Sequence, residues 1–228
     1  MTRLPAAVLW DMDGTLLDSE KLWDIPLYEA AERLGGQLSL PARQAMVGSN
    51  VPTTLDILFA DVGVVPDADE RADTARFIDK RMAEIFAGPL PFQPGAADAL
   101  ALVDSLGLPT ALVTSTERLL TELALDTLGR SHFDVVICGD EVNGLTKPHP
   151  EPYLRAARLL DVDPTLCLAI EDSPTGVQSA TSAGCPTLVI PSEVPVPPGA
   201  RRTFRRSLAG LTRPDLEAAF SEPPQPQP

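Results

Sequence analysis

The sequence predicts an α/β fold: a doubly wound parallel sheet with an α-helical domain inserted after the first strand. Short apolar runs alternate with helix-period segments through the second half of the chain, the pattern of a sheet covered by helices on both faces. The first apolar run stops at two carboxylates, Asp11 and Asp13. The stretch from Leu17 to Pro89 holds helical patterns and no convincing strand, too long a detour for a single crossover.

Residues 6–10, 110–113, 133–138, 166–170 and 187–190 are mostly apolar runs, as parallel strands buried on both faces require. Between them, Ala96, Ala99, Leu100, Val103 and Leu106 share one helical stripe, with Pro94 before it and Gly107 after it. Leu119, Leu120, Leu123, Leu125 and Leu128 form a second stripe, closed by Gly129. Pro150 and Pro152 open a third helix that runs through Leu160. A fourth opens with Ser173 as N-cap and Pro174 at its first position, and stops before Gly184. This order describes a Rossmann-like core. Residues 18–34, 52–60 and 67–86 read as helices of an inserted cap. The core then spans 1–16 and 90–215 and the cap 17–89, with Leu16-Leu17 and Gly88-Pro89-Leu90-Pro91 as linkers. Thr212 is placed to cap a short helix through Phe220, and the Pro/Gln-rich residues 221–228 are expected to be disordered.

The 228 residues carry 18 Lys and Arg against 32 Asp and Glu, a net charge of −14. Such a field repels nucleic acid and anionic membranes, so neither is an expected partner. An anionic substrate then needs a local cation, either a metal ion or a placed lysine. The basic cluster Arg201, Arg202, Arg205 and Arg206 reads as solvated surface rather than a binding patch. Cys138, Cys167 and Cys185 are widely spaced and lack a C-x-x-C pattern, which fits a reducing, cytoplasmic setting. The N-terminal apolar run leads straight into acidic residues and is too short for a signal peptide. No run reaches the ~18 apolar residues of a membrane span.

Carboxylates at a buried strand end are unfavourable unless protonated, paired or bound to a metal. Asp11-Met12-Asp13-Gly14-Thr15 places two there, and Gly14 permits a tight turn and close backbone approach. A hard cation such as Mg²⁺ beside a phosphate accounts for the pair; a polar strand-to-loop junction is the plainer alternative. Three further strand ends carry complementary groups: Thr114 and Ser115, then Lys147, then Glu171 and Asp172. Ligands of open α/β sheets bind outside the carboxyl ends of the strands, so these groups converge on a phosphate and a divalent cation. Singly, each keeps a plainer reading. Thr114 could cap the following helix, Lys147 could be a turn lysine, and Glu171 could be a surface carboxylate. Ser173 is better read as a helix cap than as a catalytic hydroxyl. His132 and His149 read as loop or capping groups, and Trp10 and Trp23 as packing residues.

Four motifs in order, Asp11-Met12-Asp13-Gly14-Thr15, Val113-Thr114-Ser115-Thr116, Lys147-Pro148-His149-Pro150 and Ile170-Glu171-Asp172-Ser173-Pro174-Thr175-Gly176, carry a family resemblance. From Val8 to about Ile190 the chain resembles the haloacid dehalogenase-like phosphatases, in the helical-cap subgroup of β-phosphoglucomutase- and phosphoglycolate phosphatase-like members. The resemblance implies that Asp11 is a nucleophile forming an aspartyl-phosphate. It implies that Asp13 is general acid for the leaving alcohol and then general base for water. Mg²⁺ would be held by Asp11, the Asp13 backbone carbonyl and Asp172, with Glu171 just behind these ligands. Thr114 and the Ser115 N–H would hold phosphoryl oxygens, and Lys147 would neutralise Asp11 and the phosphate.

Within the cap, sugar-phosphate mutases of this subgroup carry an arginine just after a Gly-x-Ser, where it grips a second phosphate. Here the stretch reads Met46-Val47-Gly48-Ser49-Asn50-Val51. Asn50 and Val51 stand in the arginine's place, which puts mutase activity in doubt and makes Asn50 an expected contact for a substrate hydroxyl. Arg43, Arg71, Arg76 and Lys80 are cap cations that could substitute. The expected function is Mg²⁺-dependent hydrolysis of a small phosphorylated metabolite, a sugar or polyol phosphate, by a monomer or weak dimer. The alternatives are a β-phosphoglucomutase-like mutase and, in another class, a phosphoacceptor or binding protein without hydrolysis.

Overall fold

The computed structural model describes residues 3–192 and 194–221. Six strands, β1 (Ala7–Trp10), β2 (Thr110–Val113), β3 (Val135–Ile137), β4 (Cys167–Glu171), β5 (Thr187–Val189) and β6 (Arg202–Phe204), form one sheet. Their order is β3-β2-β1-β4-β5-β6, and every neighbouring pair is parallel. The chain therefore winds outward in one direction from β1 and then returns to build the other half. Trp10 lies level with Leu112 on one side and Ile170 on the other. That register brings Asp11, Val113 and Glu171 to one height at the carboxyl edge of the sheet.

Between β1 and β2 the chain forms α1 (Glu20–Arg33), α2 (Leu40–Met46), α3 (Val51–Val62) and α4 (Ala68–Phe86). Local chemistry sets their ends. Asn50 accepts from the Thr53 N–H at 2.9 Å and Asp67 from the Glu70 N–H at 2.8 Å, while Gly63 closes α3 in the left-handed region. The two passes between sheet and insert run side by side, with Asp18 N–H donating to the Pro91 carbonyl at 2.8 Å and Gln93 N–H to Leu16 at 2.9 Å.

The remaining helices are α5 (Ala96–Ser105), α6 (Arg118–Leu128), α7 (Glu151–Leu159), α8 (Pro174–Ser182) and α9 (Arg213–Ser221). Val8, Trp10, Leu112 and Ile170 pack with residues of α5, α6 and α9, and this apolar cluster continues into Leu55, Phe59, Met82 and Phe86 of the insert. The alternate strand residues Ala7, Leu9, Ala111 and Ala169 pack with Tyr153, Ala156 and Ala180 of α7 and α8. Period-two alternation thus feeds two separate cores, one on each face.

Strand β6 and helix α2 lie outside the sequence expectations. Strand β6 has no apolar run, since Arg202 and Thr203 fill two of its three positions; it forms by adding to the edge of β5. Helix α2 is seven residues long, capped by Ser39. The arginine cluster lies at the surface as expected, with Arg201 and Arg206 exposed and Arg202 and Arg205 half-buried, and it also ties down loops: Arg201 donates to the Gly184 carbonyl, Arg202 to Pro197 and Arg205 to Ser207. The three cysteines are free and buried, and burial pushes the thiols up, Cys138 to about 11 and Cys167 to about 12. Of the tail expected to be disordered, Ser221 is the last residue of α9, and residues 222–228 lie outside the described residues.

Candidate active site

Lys147 gathers the site. Its loop is anchored where the Ser179 hydroxyl donates to the His149 carbonyl at 2.6 Å. The ammonium donates to Asp11 Oδ1 at 2.7 Å, to the Val113 carbonyl at 2.9 Å and to Glu171 Oε1 at 2.6 Å. These acceptors stand at the ends of β1, β2 and β4, three adjacent strands, and they match the three donors of an ammonium group. Lys147 and Glu171 are 2% and 0% exposed, so the turn-lysine and surface-carboxylate readings fail.

Glu171 is enclosed by donors. Its Oε1 also accepts from the Tyr153 hydroxyl at 2.6 Å, and Oε2 from the Asp172 N–H at 3.2 Å and the Ser173 hydroxyl at 3.4 Å. A Cβ on Gly176 would lie 2.0 Å from Oε1. Tyr153 has no motif to mark it; it reads from sequence as one more buried position of α7. Burial and the charges of Glu171 and Asp11 hold its phenol well above the usual range, so it is a neutral donor. Ser173 caps α8, accepting from Gly176 N–H at 3.1 Å.

Asp11, Glu171 and Asp172 can each present an oxygen within 4.8 Å of the others. Asp11 Oδ2 is buried and has no hydrogen-bond partner, a state that calls for a proton or a cation. Gly14 makes room beside them: its φ is +83°, and a Cβ there would sit 2.1 Å from Asp172 Oδ2. Since Glu171 is spent on protein donors, Asp11 and Asp172 are the side chains suited to a divalent cation. The electrostatics agree. Burial and then the charge of Glu171 push Asp11 up to about 7, against the opposing pull of Lys147. Burial disfavours the Lys147 charge, but Asp11 and Glu171 outweigh it and raise its pKa. One ammonium among this many carboxylates leaves negative charge in excess.

Asp13 is held differently. The Ser19 hydroxyl donates to its Oδ1 at 2.6 Å and the Thr116 hydroxyl to its Oδ2 at 2.7 Å, with Thr114 Oγ1 at 3.4 Å. Thr114 is not the cap of α6, a place taken by Glu117; its hydroxyl accepts from the Thr116 N–H at 3.0 Å. Neither Ser19 nor Thr116 is marked by the sequence as a site residue, although Thr116 stands inside the second motif.

A cleft opens above these groups. Asp11, Asp13, Thr114, Ser115, Thr116, Glu117 and Lys147 line its core side, and Trp23, Arg43, Gly48, Leu55, Ile78 and Asp79 line its cap side. Trp23 is therefore more than a packing residue, although it also stacks edge-on with Phe86 at 6.5 Å. Asn50 is not brought into the cleft. Its carbonyl oxygen caps α3, and its Nδ2 donates to Thr146 Oγ1 at 2.5 Å. With the Thr175 hydroxyl donating to the Gly48 carbonyl at 3.1 Å, that bond seats the insert on the core. Of the cap cations, Arg43 reaches the cleft; Arg71 pairs with Asp56 at 2.7 Å and Arg76 pairs with Asp73.

The sequence profile of haloacid dehalogenase-like hydrolases matches residues 5–184. The chain is 35% identical over 187 residues to a phosphorylated carbohydrates phosphatase of Thermotoga maritima, spanning 78% of this chain and 81% of the relative. It is 29% identical over 191 residues to hexitol phosphatase B of Escherichia coli K12, spanning 82% and 83%. The crystal structure of CbbY from Rhodobacter sphaeroides in complex with xylulose-1,5-bisphosphate matches with a TM-score of 0.82 at 28% identity, covering 93% of this chain and 99% of that one. With matching motifs, topology and profile, the chain belongs to the haloacid dehalogenase-like hydrolase family.

Proposed function

We propose that the protein is a Mg²⁺-dependent phosphatase that hydrolyses a small phosphorylated metabolite, a sugar or polyol phosphate, through an aspartyl-phosphate on Asp11. The observation that carries this reading is Asp11 itself, bonded through Oδ1 to a buried ammonium while its Oδ2 stays buried and unbonded beside Asp172. The relatives named as phosphatases of phosphorylated carbohydrates and hexitols support the substrate class.

In the first step Asp11 Oδ1 attacks phosphorus while the ester P–O bond breaks, and Asp13 gives its proton to the leaving alcohol oxygen. In the second, water attacks the same phosphorus, Asp13 takes the water proton, and the bond to Asp11 breaks to release inorganic phosphate. Covalent catalysis divides one hard displacement into two easier ones. Lys147 offsets the repulsion between carboxylate and phosphate, and Thr114 with the Ser115 N–H receives phosphoryl oxygens. Asp11 Oδ2, Asp172 and the Asp13 carbonyl would hold Mg²⁺, which supplies further charge neutralisation at the phosphoryl group. Residues 17–89 would form a lid that excludes bulk water. No helix among the described residues is long and apolar enough to cross a membrane, and a cytoplasmic enzyme is part of the proposal.

The test is inorganic phosphate release from a panel of sugar and polyol monophosphates, with Mg²⁺ or with a chelator, for wild type and Asp11→Asn. Turnover that needs the metal and vanishes in the variant is expected. Wild-type-like turnover in Asp11→Asn overturns the nucleophile assignment. With β-glucose 1-phosphate and a trace of bisphosphate, phosphate release should outrun glucose 6-phosphate formation; the reverse indicates a mutase.

A further inference from the structure

Beyond the phosphoryl end, the cleft is walled by charges that the hydrolysis steps do not use. Asp79 comes from α4 of the insert and Glu117 from the N-terminus of α6 in the core, and both line the cleft. Glu117 makes no capping bond to its own helix. Among the described residues neither carboxylate is paired with a cation. Burial raises the pKa of each, and the Asp79 charge adds to the rise at Glu117. The cations lining the cleft are Lys147 and Arg43. Lys147 is committed to Asp11 and Glu171. Arg43 is 5% exposed, and its Nε lies 2.5 Å from Asp24 Oδ1. The cleft is therefore lined by two carboxylates and by a guanidinium already paired with a third carboxylate, Asp24.

We infer that Asp79 and Glu117 make this cleft selective for phosphomonoesters whose far end is uncharged and hydroxylated, and selective against those carrying a second anion, phosphate or carboxylate. The inference rests on the phosphatase reading and narrows it. Ionised carboxylates accept hydrogen bonds from hydroxyls and have no donor to offer an anion. The apolar wall of Trp23, Leu55 and Ile78 lowers the local dielectric, which strengthens the repulsion between like charges in the cleft. Discrimination then comes from what the site rejects as much as from what it holds. The CbbY relative bound to xylulose-1,5-bisphosphate sets the contrast: this chain should turn such a ligand away.

The experiment uses the full chain with Mg²⁺ and matched substrate pairs: xylulose 5-phosphate against xylulose 1,5-bisphosphate, and glycerol 3-phosphate against 3-phosphoglycerate. Wild type should favour the neutral-ended member by roughly 10-fold or more in kcat/KM in both pairs. The double variant Asp79→Asn, Glu117→Gln should narrow both ratios, and Glu117→Lys should move them toward the anionic member. Ratios measured on one preparation do not depend on its folded fraction. Equal or greater activity on the anionic members in wild type, or ratios unmoved by both variants, overturns the inference. Absence of phosphate release from every ester overturns the phosphatase reading itself, a result distinct from turnover without discrimination.

Discussion

Lys147 Nζ lies 2.7 Å from Asp11 Oδ1, across 136 residues of sequence. The contact closes only when β1, β2 and β4 stand side by side in register, because the same ammonium also holds the Val113 carbonyl and Glu171. Fold and site are thus one electrostatic unit. Lys147→Met should abolish phosphate release and leave two buried carboxylates without their cation. Breaking a buried pair in this way costs about 3–5 kcal/mol, a fall in Tm on the order of 10 °C for a chain of this size. Lys147→Arg should not restore activity, since a planar fork does not replace a point charge bonded to three converging acceptors. Calorimetry and a phosphate assay check both statements, and near-normal stability in Lys147→Met would contradict the first.

Ser19 and Thr116 position Asp13 from opposite sides, at 2.6 Å and 2.7 Å. Thr116→Val or Ser19→Ala should lower kcat roughly 10-fold, a fraction of the ~10²–10⁴ that acid–base catalysis supplies, with little change in KM. Thr116→Ser, which keeps the hydroxyl, should recover most of the rate. A rise in KM at constant kcat would instead mean that these hydroxyls bind substrate.

Gly14 gives Asp172 the space it occupies. A methyl group there meets Asp172 Oδ2 at 2.1 Å, at a φ of +83° that side chains avoid. Gly14→Ala should therefore weaken Mg²⁺ binding by about 10–100-fold, the range seen when the support of a metal ligand is disturbed. Titration calorimetry with Mg²⁺ alone reads this without any substrate, and unchanged affinity would separate Gly14 from the metal site.

The half-buried Asp79 gives a signed pH effect. Burial raises its pKa above 3.8, so folding takes up a proton between 3.8 and the raised value. Stability contributed by this residue falls as pH rises through that window. Asp79→Asn should be more stable than wild type at about pH 7.5, by about 1–2 °C in Tm after allowing for solvent screening. The gain should shrink as the pH is lowered toward about 4.5. Thermal scans of both proteins across that range decide it, and a variant less stable at neutral pH would contradict the assignment.

The strand-end chemistry is legible in the sequence because it is local. An apolar run leading into Asp11-Met12-Asp13-Gly14 marks both the end of a strand and the tight turn beyond it, and Ser173-Pro174 announces its helix. Features that arise only in three dimensions stay hidden. Tyr153 looks like any buried position of α7 until Glu171 is found 2.6 Å away. Asp79 and Glu117 look like ordinary helix carboxylates until α4 and α6 bring them into one cleft. Asn50 has two uses that sequence cannot rank; its oxygen caps α3 and its amide reaches Thr146, and it is not among the residues that line the cleft. Strand β6 is set by the open edge of β5 rather than by its own residues.

The central claim is that phosphate passes through Asp11. Borohydride quenching during steady turnover of a sugar monophosphate with Mg²⁺, followed by peptide mapping by mass spectrometry, tests it directly. The expected result is reduction of an acyl phosphate at Asp11, seen as homoserine at that position and absent without substrate. Sustained turnover with Asp11 unmodified, or modification confined to another residue, would contradict it.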